Sequence, residues 1–220
     1  MRVVIAGGHG KIALRLERLL AARGDHAVGL IRNPEHVNDV TEAGASAEVI
    51  DLEASSVDEL APILRDADAV VFAAGAGPGS GAARKDTVDR GAAVLLADAS
   101  VAAGVPRYVL VSSTGVDSTP DPGRDEVWLA YLAAKKAAEV EVAERDIKLV
   151  VLRPGPLTDE IGAGRVALAP PPVDRLAVTR DDVAAVVLGL LLEPRTDGLV
   201  LELMGGEVPI AAALASVLPE

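Results

Sequence analysis

The chain has 220 residues, 33 of them acidic and 21 basic, for a net charge of −12. It has no cysteine and only three histidines, His9, His26 and His36, which excludes a disulfide framework and a Cys-based metal site. Lys and Arg are scattered without a basic stripe, which sets nucleic acid aside as a partner, and the longest apolar run, at 183–192, is too short to span a bilayer. No signal-peptide pattern follows Met1-Arg2, so a soluble, cytoplasmic protein with no membrane partner is the expectation.

In chain order, VVIA at 3–6 predicts a first strand. Ile12, Leu16, Leu19 and Leu20 follow the 3.6-residue period of a helix that stops at Gly24. HAVGLI at 26–31 and AEVI at 47–50 are the next strands, and Ser55-Ser56 caps a helix through Leu64. AVVFAA at 69–74 leads into a glycine-rich loop at 74–86, expected at the mouth of a crevice, where it closes on a cofactor or substrate. A long helix through Val94 and Val101 ends at Gly104, followed by a strand RYVLVS at 107–112. A Lys/Glu/Ala-rich helix runs from about Val127 to Asp146, ahead of a sixth strand KLVVLR at 148–153.

These strands are apolar almost throughout, as strands covered on both faces are. About five β-α repeats and a sixth strand predict a Rossmann-type doubly wound parallel sheet with helices on both faces and right-handed crossovers. Pro170, Pro171 and Pro172 then interrupt the pattern. The tail adds a helix at about 181–192, a strand at about 199–204 and a last helix. The expectation is one domain over 1–220, with a small substrate-side extension from about 155 to 220.

The stretch VIAGGHGKIA at 4–13 joins a strand to a helix through three glycines. Gly8-x-Gly10-x-x-Ala13 and Gly7-x-x-Gly10-x-x-Ala13 both fit the dinucleotide-binding fingerprint. In either register one glycine makes the turn, Gly10 lets the pyrophosphate approach, and Ala13 lets helix and strand pack. The helix N-terminus offers free N–H groups to phosphates. NAD sites place an acid at the end of the second strand, but Arg32 stands there instead. A guanidinium pairs bidentately with a 2′-phosphate, and His9 and Lys11 add nearby charge, so NADP (NADPH) is the expected cofactor.

The order of motifs resembles the atypical short-chain dehydrogenase/reductases, in particular the NAD(P)H-binding, NmrA-like group that includes flavin and biliverdin reductases. GGHGKIA is similar to its glycine motif, IRNP to its turn after the second strand, and Asp51-Leu52 to its adenine-holding pair. Ala73-Ala74-Gly75, VSSTG at 111–115, Tyr131-x-x-x-Lys135, RPGPLTDE at 153–160 and TRDDVA at 179–184 match later pieces. The resemblance implies cofactor contacts from Gly7, Gly8, His9, Gly10, Lys11 and Ile12 on the first turn. It adds Arg32, Asn33, Asp51, Leu52, Ala73, Ala74 and Gly75, and Ser112 and Lys135 nearer the reacting end. Pro154, Gly155, Pro156 and Leu157 would pass the nicotinamide.

Ketone reduction needs a proton donor at the carbonyl oxygen. Tyr131 and Lys135 share one helix face, and an ammonium lowers a nearby phenol's pKa. Ser113, or Thr114 if the register shifts by one, would hold the substrate oxygen. Tyr131 also reads as core, since it lies in VWLAYLAAKK, and Trp128 as either pocket lining or a cover over the sheet edge. The expected activity is hydride transfer from NADPH to a small carbonyl, quinone or flavin acceptor by a monomer or homodimer. A redox sensor without turnover, and a nucleotide-sugar epimerase, are the alternatives.

Overall fold

Six runs of Val, Ile and Leu need cover on both faces, and a parallel sheet between two helix layers supplies it. The computed structural model describes residues 1–77, 79–119, 123, 125–174 and 176–219. Strands β1 (Arg2–Ala6), β2 (His26–Ile31), β3 (Ser46–Val49), β4 (Ala69–Phe72), β5 (Arg107–Val111) and β6 (Lys148–Pro154) lie parallel in the order β6-β5-β4-β1-β2-β3. The chain leaves β1 toward one edge and returns at β4 to build the other, so a crevice opens between the C-terminal ends of β1 and β4.

Helix α1 (Lys11–Ala22) covers one face together with the later α7 (Arg180–Leu192); Leu16, Leu20, Val183 and Leu190 are fully buried there. The other face is covered by α3 (Val57–Leu64), α5 (Ala93–Ala103) and α6 (Glu126–Ala143), with Leu60, Leu64, Leu96 and Ala138 buried. The Ser56 side chain caps α3 through a reciprocal box with Glu59. Two features lie outside the sequence pattern. Helix α2 (Val37–Glu42) follows a short 3-10 turn, and the helix before α5 begins as one turn, α4 (Ala82–Arg84), that continues as a π-helix, Lys85–Ala92.

The tail corrects the expectation of an all-parallel sheet. Strand β10 (Val200–Gly205) joins parallel to β6, but β8 (Arg165–Ala169) pairs antiparallel with β10, and β11 (Val208–Pro209) antiparallel with β8. A separate two-stranded ribbon joins β7 (Leu157–Thr158) to β9 (Val178–Thr179), and α8 (Ile210–Ser216) closes the chain. The extension therefore continues the same nine-stranded sheet. β8 buries only alternate residues, Val166 and Leu168, and its apolar run, VALA, stands directly before Pro170, Pro171 and Pro172, which read as a break in the pattern. Among the described residues, no helix is long and apolar enough to cross a membrane.

One buried group stands out in the α1 layer. Glu17 is fully buried against β2, and neither carboxyl oxygen finds a hydrogen-bond partner among the described residues. Gly29 makes the room: a Cβ there would stand 2.7 Å from Glu17 Oε1. Burial pushes the Glu17 carboxyl up to about 8, so it is neutral at pH 7. The folded state therefore keeps a proton that the unfolded chain releases, and stability falls as the pH rises from 4.5 to about 8. Glu17→Gln removes that titration. The melting temperature of the variant relative to the parent should climb steadily between pH 5 and 8; a pH-independent difference would show that Glu17 is ionised in the fold.

Candidate dinucleotide and catalytic site

The β1–α1 turn is shaped by contacts on three sides. Gly7 has φ +79°, and a Cβ there would stand 2.7 Å from the Ala74 Cα at the end of β4. A Cβ on Gly8 would stand 2.6 Å from the Gly29 Cα of β2, and one on Gly10 would stand 2.9 Å from the Gly7 carbonyl oxygen. Both glycine registers are therefore used. Gly7 and Gly8 let the turn lie against β4 and β2, and the first constraint on Gly10 is the turn itself. Gly10 N–H donates to Gly7 O (2.7 Å), and Gly10 is the N-cap of α1 with no side-chain cap. The N–H groups of Lys11, Ile12 and Ala13 thus lie in the uncapped first turn.

A groove of about 560 Å³ runs from this turn across the ends of β2, β3 and β4. It brings together Gly7, His9, Gly10, Lys11, Arg32, Asn33, Asp51, Leu52, Ala73, Ala74 and Gly75. Two groups expected to add charge toward a 2′-phosphate have acidic partners of their own in this structure. Lys11 pairs with Asp159 across the groove mouth, and His9 stacks on His36 at 3.5 Å and bonds Asp39 through Nε2 (2.7 Å). Asn33 caps the 3-10 turn by accepting from Glu35 N–H (3.1 Å). Pro78 of the glycine-rich loop lies outside the described residues.

The reacting end is organised by a side chain that the sequence did not single out. Asp89, fully buried on the π-helix, faces Lys135 of α6 at 3.3 Å and accepts from Ala76 N–H (3.2 Å). Lys135 also donates to the carbonyls of Val111 (3.1 Å) and Ala74 (3.4 Å), joining the ends of β5 and β4. Burial lowers the Lys135 pKa, and the charge of Asp89 opposes that fall. The signal for Asp89 was available but faint: one acid four residues after Lys85 in a helix that turns apolar. Lys85 donates to Gly77 O (2.9 Å) and lies 5.6 Å above the Tyr131 ring.

The Tyr131 phenol lies where Ser113 acts on it, which favours Ser113 over Thr114, whose hydroxyl is buried without a partner among the described residues, although the Ser113 hydroxyl itself donates to Thr114 O (3.1 Å). The Tyr131 pKa is raised, chiefly by burial and further by the charge of Asp89, against the lowering effect of Ser113. The expectation that the phenol's pKa is lowered is corrected, because burial, the largest cause, carries it upward. Trp128 stacks obliquely on Tyr131 at 5.2 Å and lines a second cavity along α6.

Several expected contacts lie outside the groove. Gly8 packs on β2, and Ile12 packs against the core. Ser112 is turned away, donating to Glu139 Oε1 (2.5 Å) in a buried pair with Arg153. Pro154 ends β6, and Gly155 N–H donates to Leu203 O (2.9 Å). Pro156 O accepts from Val178 N–H (2.9 Å), and Leu157 lies in β7. This segment is tied to β9 and β10 rather than to the groove.

A Rossmann sheet with a glycine turn at its switch point and a groove over three strand ends defines a dinucleotide-binding protein. Residues 7–194 match the NAD(P)H-binding family model, and the chain belongs to that family. It is similar to the uncharacterized sugar epimerase YhfK of Bacillus subtilis, 32% identical over 215 residues, spanning 97% of this chain and 99% of that protein. A solved structure from Bacillus halodurans, provisionally named an NAD-dependent epimerase/dehydratase, is 32% identical with a TM-score of 0.89, covering 99% and 100% of the two chains. The fold is also that of ChuY, an anaerobilin reductase from Escherichia coli O157:H7, at 23% identity and TM-score 0.76, covering 94% and 98%.

Asp89→Ala would strand the Lys135 ammonium among apolar neighbours. Removing one partner of a buried pair costs about 3–5 kcal/mol, so urea denaturation at pH 7 should show a loss of that order. The loss should shrink as the pH rises toward the ordinary lysine range, where the unfolded lysine also sheds its proton. A loss independent of pH would mean that Asp89 acts only through its hydrogen bond to Ala76.

Proposed function

We propose that this protein is an NADP-dependent reductase that delivers hydride from NADPH to a small carbonyl, quinone or flavin acceptor. The observation that carries the reading is the grouping of Ser113 at the end of β5 with Tyr131 and, one turn along α6, Lys135, at the same end of the sheet as the glycine turn. A dinucleotide fits the residues present: the uncapped N-terminus of α1, the tight glycine turn before it and the groove leading to Arg32. In this reading Gly7, Gly10 and the first-turn N–H groups hold the pyrophosphate, Asp51 and Leu52 the adenine, and Arg32 the 2′-phosphate. Bound NADPH supplies the hydride.

The remaining chemistry belongs to the chain. Ser113 orients the acceptor oxygen, and Tyr131 gives it a proton. A tyrosine whose pKa is raised stays protonated at neutral pH and releases its proton only to an oxygen that is gaining negative charge. The ribose contact expected of Lys135 gives way to a positioning role: its ammonium, buried on Asp89 and the Ala74 and Val111 carbonyls, ties the ends of β4 and β5 together beside Tyr131.

The names of the two 32%-identical relatives favour a second reading, a sugar epimerase. It calls for cofactor that stays bound through the catalytic cycle, whereas a reductase exchanges it each turn. Purified protein should oxidise NADPH steadily with a carbonyl, quinone or flavin acceptor. Tyr131→Phe should lower carbonyl turnover by about 10²–10⁴-fold and leave NADPH affinity nearly unchanged. A silent Tyr131→Phe with flavin or quinone turnover intact would assign a reductase that needs no protein acid. Binding without turnover would assign a sensor, and NAD released only on denaturation an epimerase.

A further inference from the structure

The sequence offers one guanidinium, Arg32, for a 2′-phosphate; the fold brings a second into the same groove. Arg84, in the single turn α4 that follows the glycine-rich loop, lines the groove opposite Arg32, which stands at the end of β2. Both reach one carboxylate oxygen. Arg32 Nη1 lies 3.2 Å and Arg84 Nε 3.1 Å from Glu53 Oε2. Thr87 Oγ1 completes the cluster by donating to Glu53 Oε1 (2.7 Å). Arg84 holds the Glu53 carboxyl below its ordinary pKa, so an anion is present among these donors at neutral pH.

We infer that Arg84 is a second 2′-phosphate contact, with Glu53 holding both arginines in place until the ligand anion takes them over. The inference rests on the NADP reading above. Nitrogens that meet at one carboxylate oxygen also stand within reach of one phosphate, whose oxygens spread wider. The two arginines balance the two groove acids on this side, Glu53 and Asp51, which accepts from Glu53 N–H (3.1 Å) and whose charge also acts on Arg84. The arginines are also the accessible partners: their side chains are 55% and 37% exposed, against 23% for Glu53. Solvent-exposed ion pairs are weak, so a dianion can displace the carboxylate.

Calorimetric titration with 2′,5′-ADP and with 5′-AMP isolates the phosphate from any turnover. The unaltered protein should bind 2′,5′-ADP more tightly. Arg84→Ala should weaken 2′,5′-ADP by about tenfold or more, as expected for a charged hydrogen bond, and change 5′-AMP by no more than about twofold. The salt dependence of 2′,5′-ADP binding should fall with it. Glu53→Gln, which removes the competing anion, should tighten 2′,5′-ADP selectively. Equal losses for both nucleotides would make Arg84 a cover over the adenosine, and an unchanged affinity would make it a surface ion pair; either result overturns the inference. So would an unaltered protein that does not prefer 2′,5′-ADP, and that outcome leaves a reductase using NADH standing. Absence of turnover with intact 2′,5′-ADP preference would remove the reductase reading alone.

Discussion

The Lys135 ammonium is the point on which the site depends. It is buried, so it has to find acceptors, and it finds them on three separate elements: the end of β4, the end of β5 and the π-helix. That requirement sets the distance between α6 and the strand ends, and with it the position of Tyr131 one turn earlier. Asp89 makes the arrangement tolerable, because an ammonium among apolar neighbours without an anion would lose its proton or leave. A π-helical stretch, an uncommon conformation often found at functional sites, brings Lys85 and Asp89 to face Tyr131 and Lys135. Gly75 leaves the space: a Cβ there would stand 3.1 Å from Asp89 Oδ1.

A second set of contacts holds the other wall. Arg153 of β6 is buried and pairs with Glu139 of α6, which also takes the Ser112 hydroxyl. Ser112 and Ser113 thereby point in opposite directions at the end of β5. Ser112 locks α6 to the sheet, and Ser113, donating to Thr114 O, stays on the Tyr131 side. Two adjacent serines of the same type thus divide into a structural and a site residue, decided by which face of the strand each occupies.

The ion pairs at the groove mouth carry a related division. Asp159 and Asp181 attract Lys11, Arg15 and Arg180, joining the segment after β6 to the start of α1 and α7. Charges that look available in the sequence are spent on holding the extension against the glycine helix. Arg32 and Arg84 stay together at the adenosine end, around an acid from the end of β3.

Strands β1 to β6, helices α1, α3, α5 and α6, the glycine turn, and the Tyr131/Lys135 pair were legible in the sequence. Their signals are local: continuous apolar runs, a 3.6-residue period, a strand–glycine–helix junction, a four-residue spacing. β8, β11 and the β7–β9 ribbon were not, because short edge strands bury one face or none and leave little pattern. Asp89, Glu53 and Arg84 escaped for a different reason. An ion pair is a relation between residues far apart in the chain, and nothing in the neighbourhood of Glu53 says that Arg32 and Arg84 will meet it. The sequence by itself determined that the chain builds a doubly wound sheet with a dinucleotide turn. Only the tertiary structure decided which charges face the groove and which are neutralised across it, because burial and distance, not residue type, set the partner of each charge.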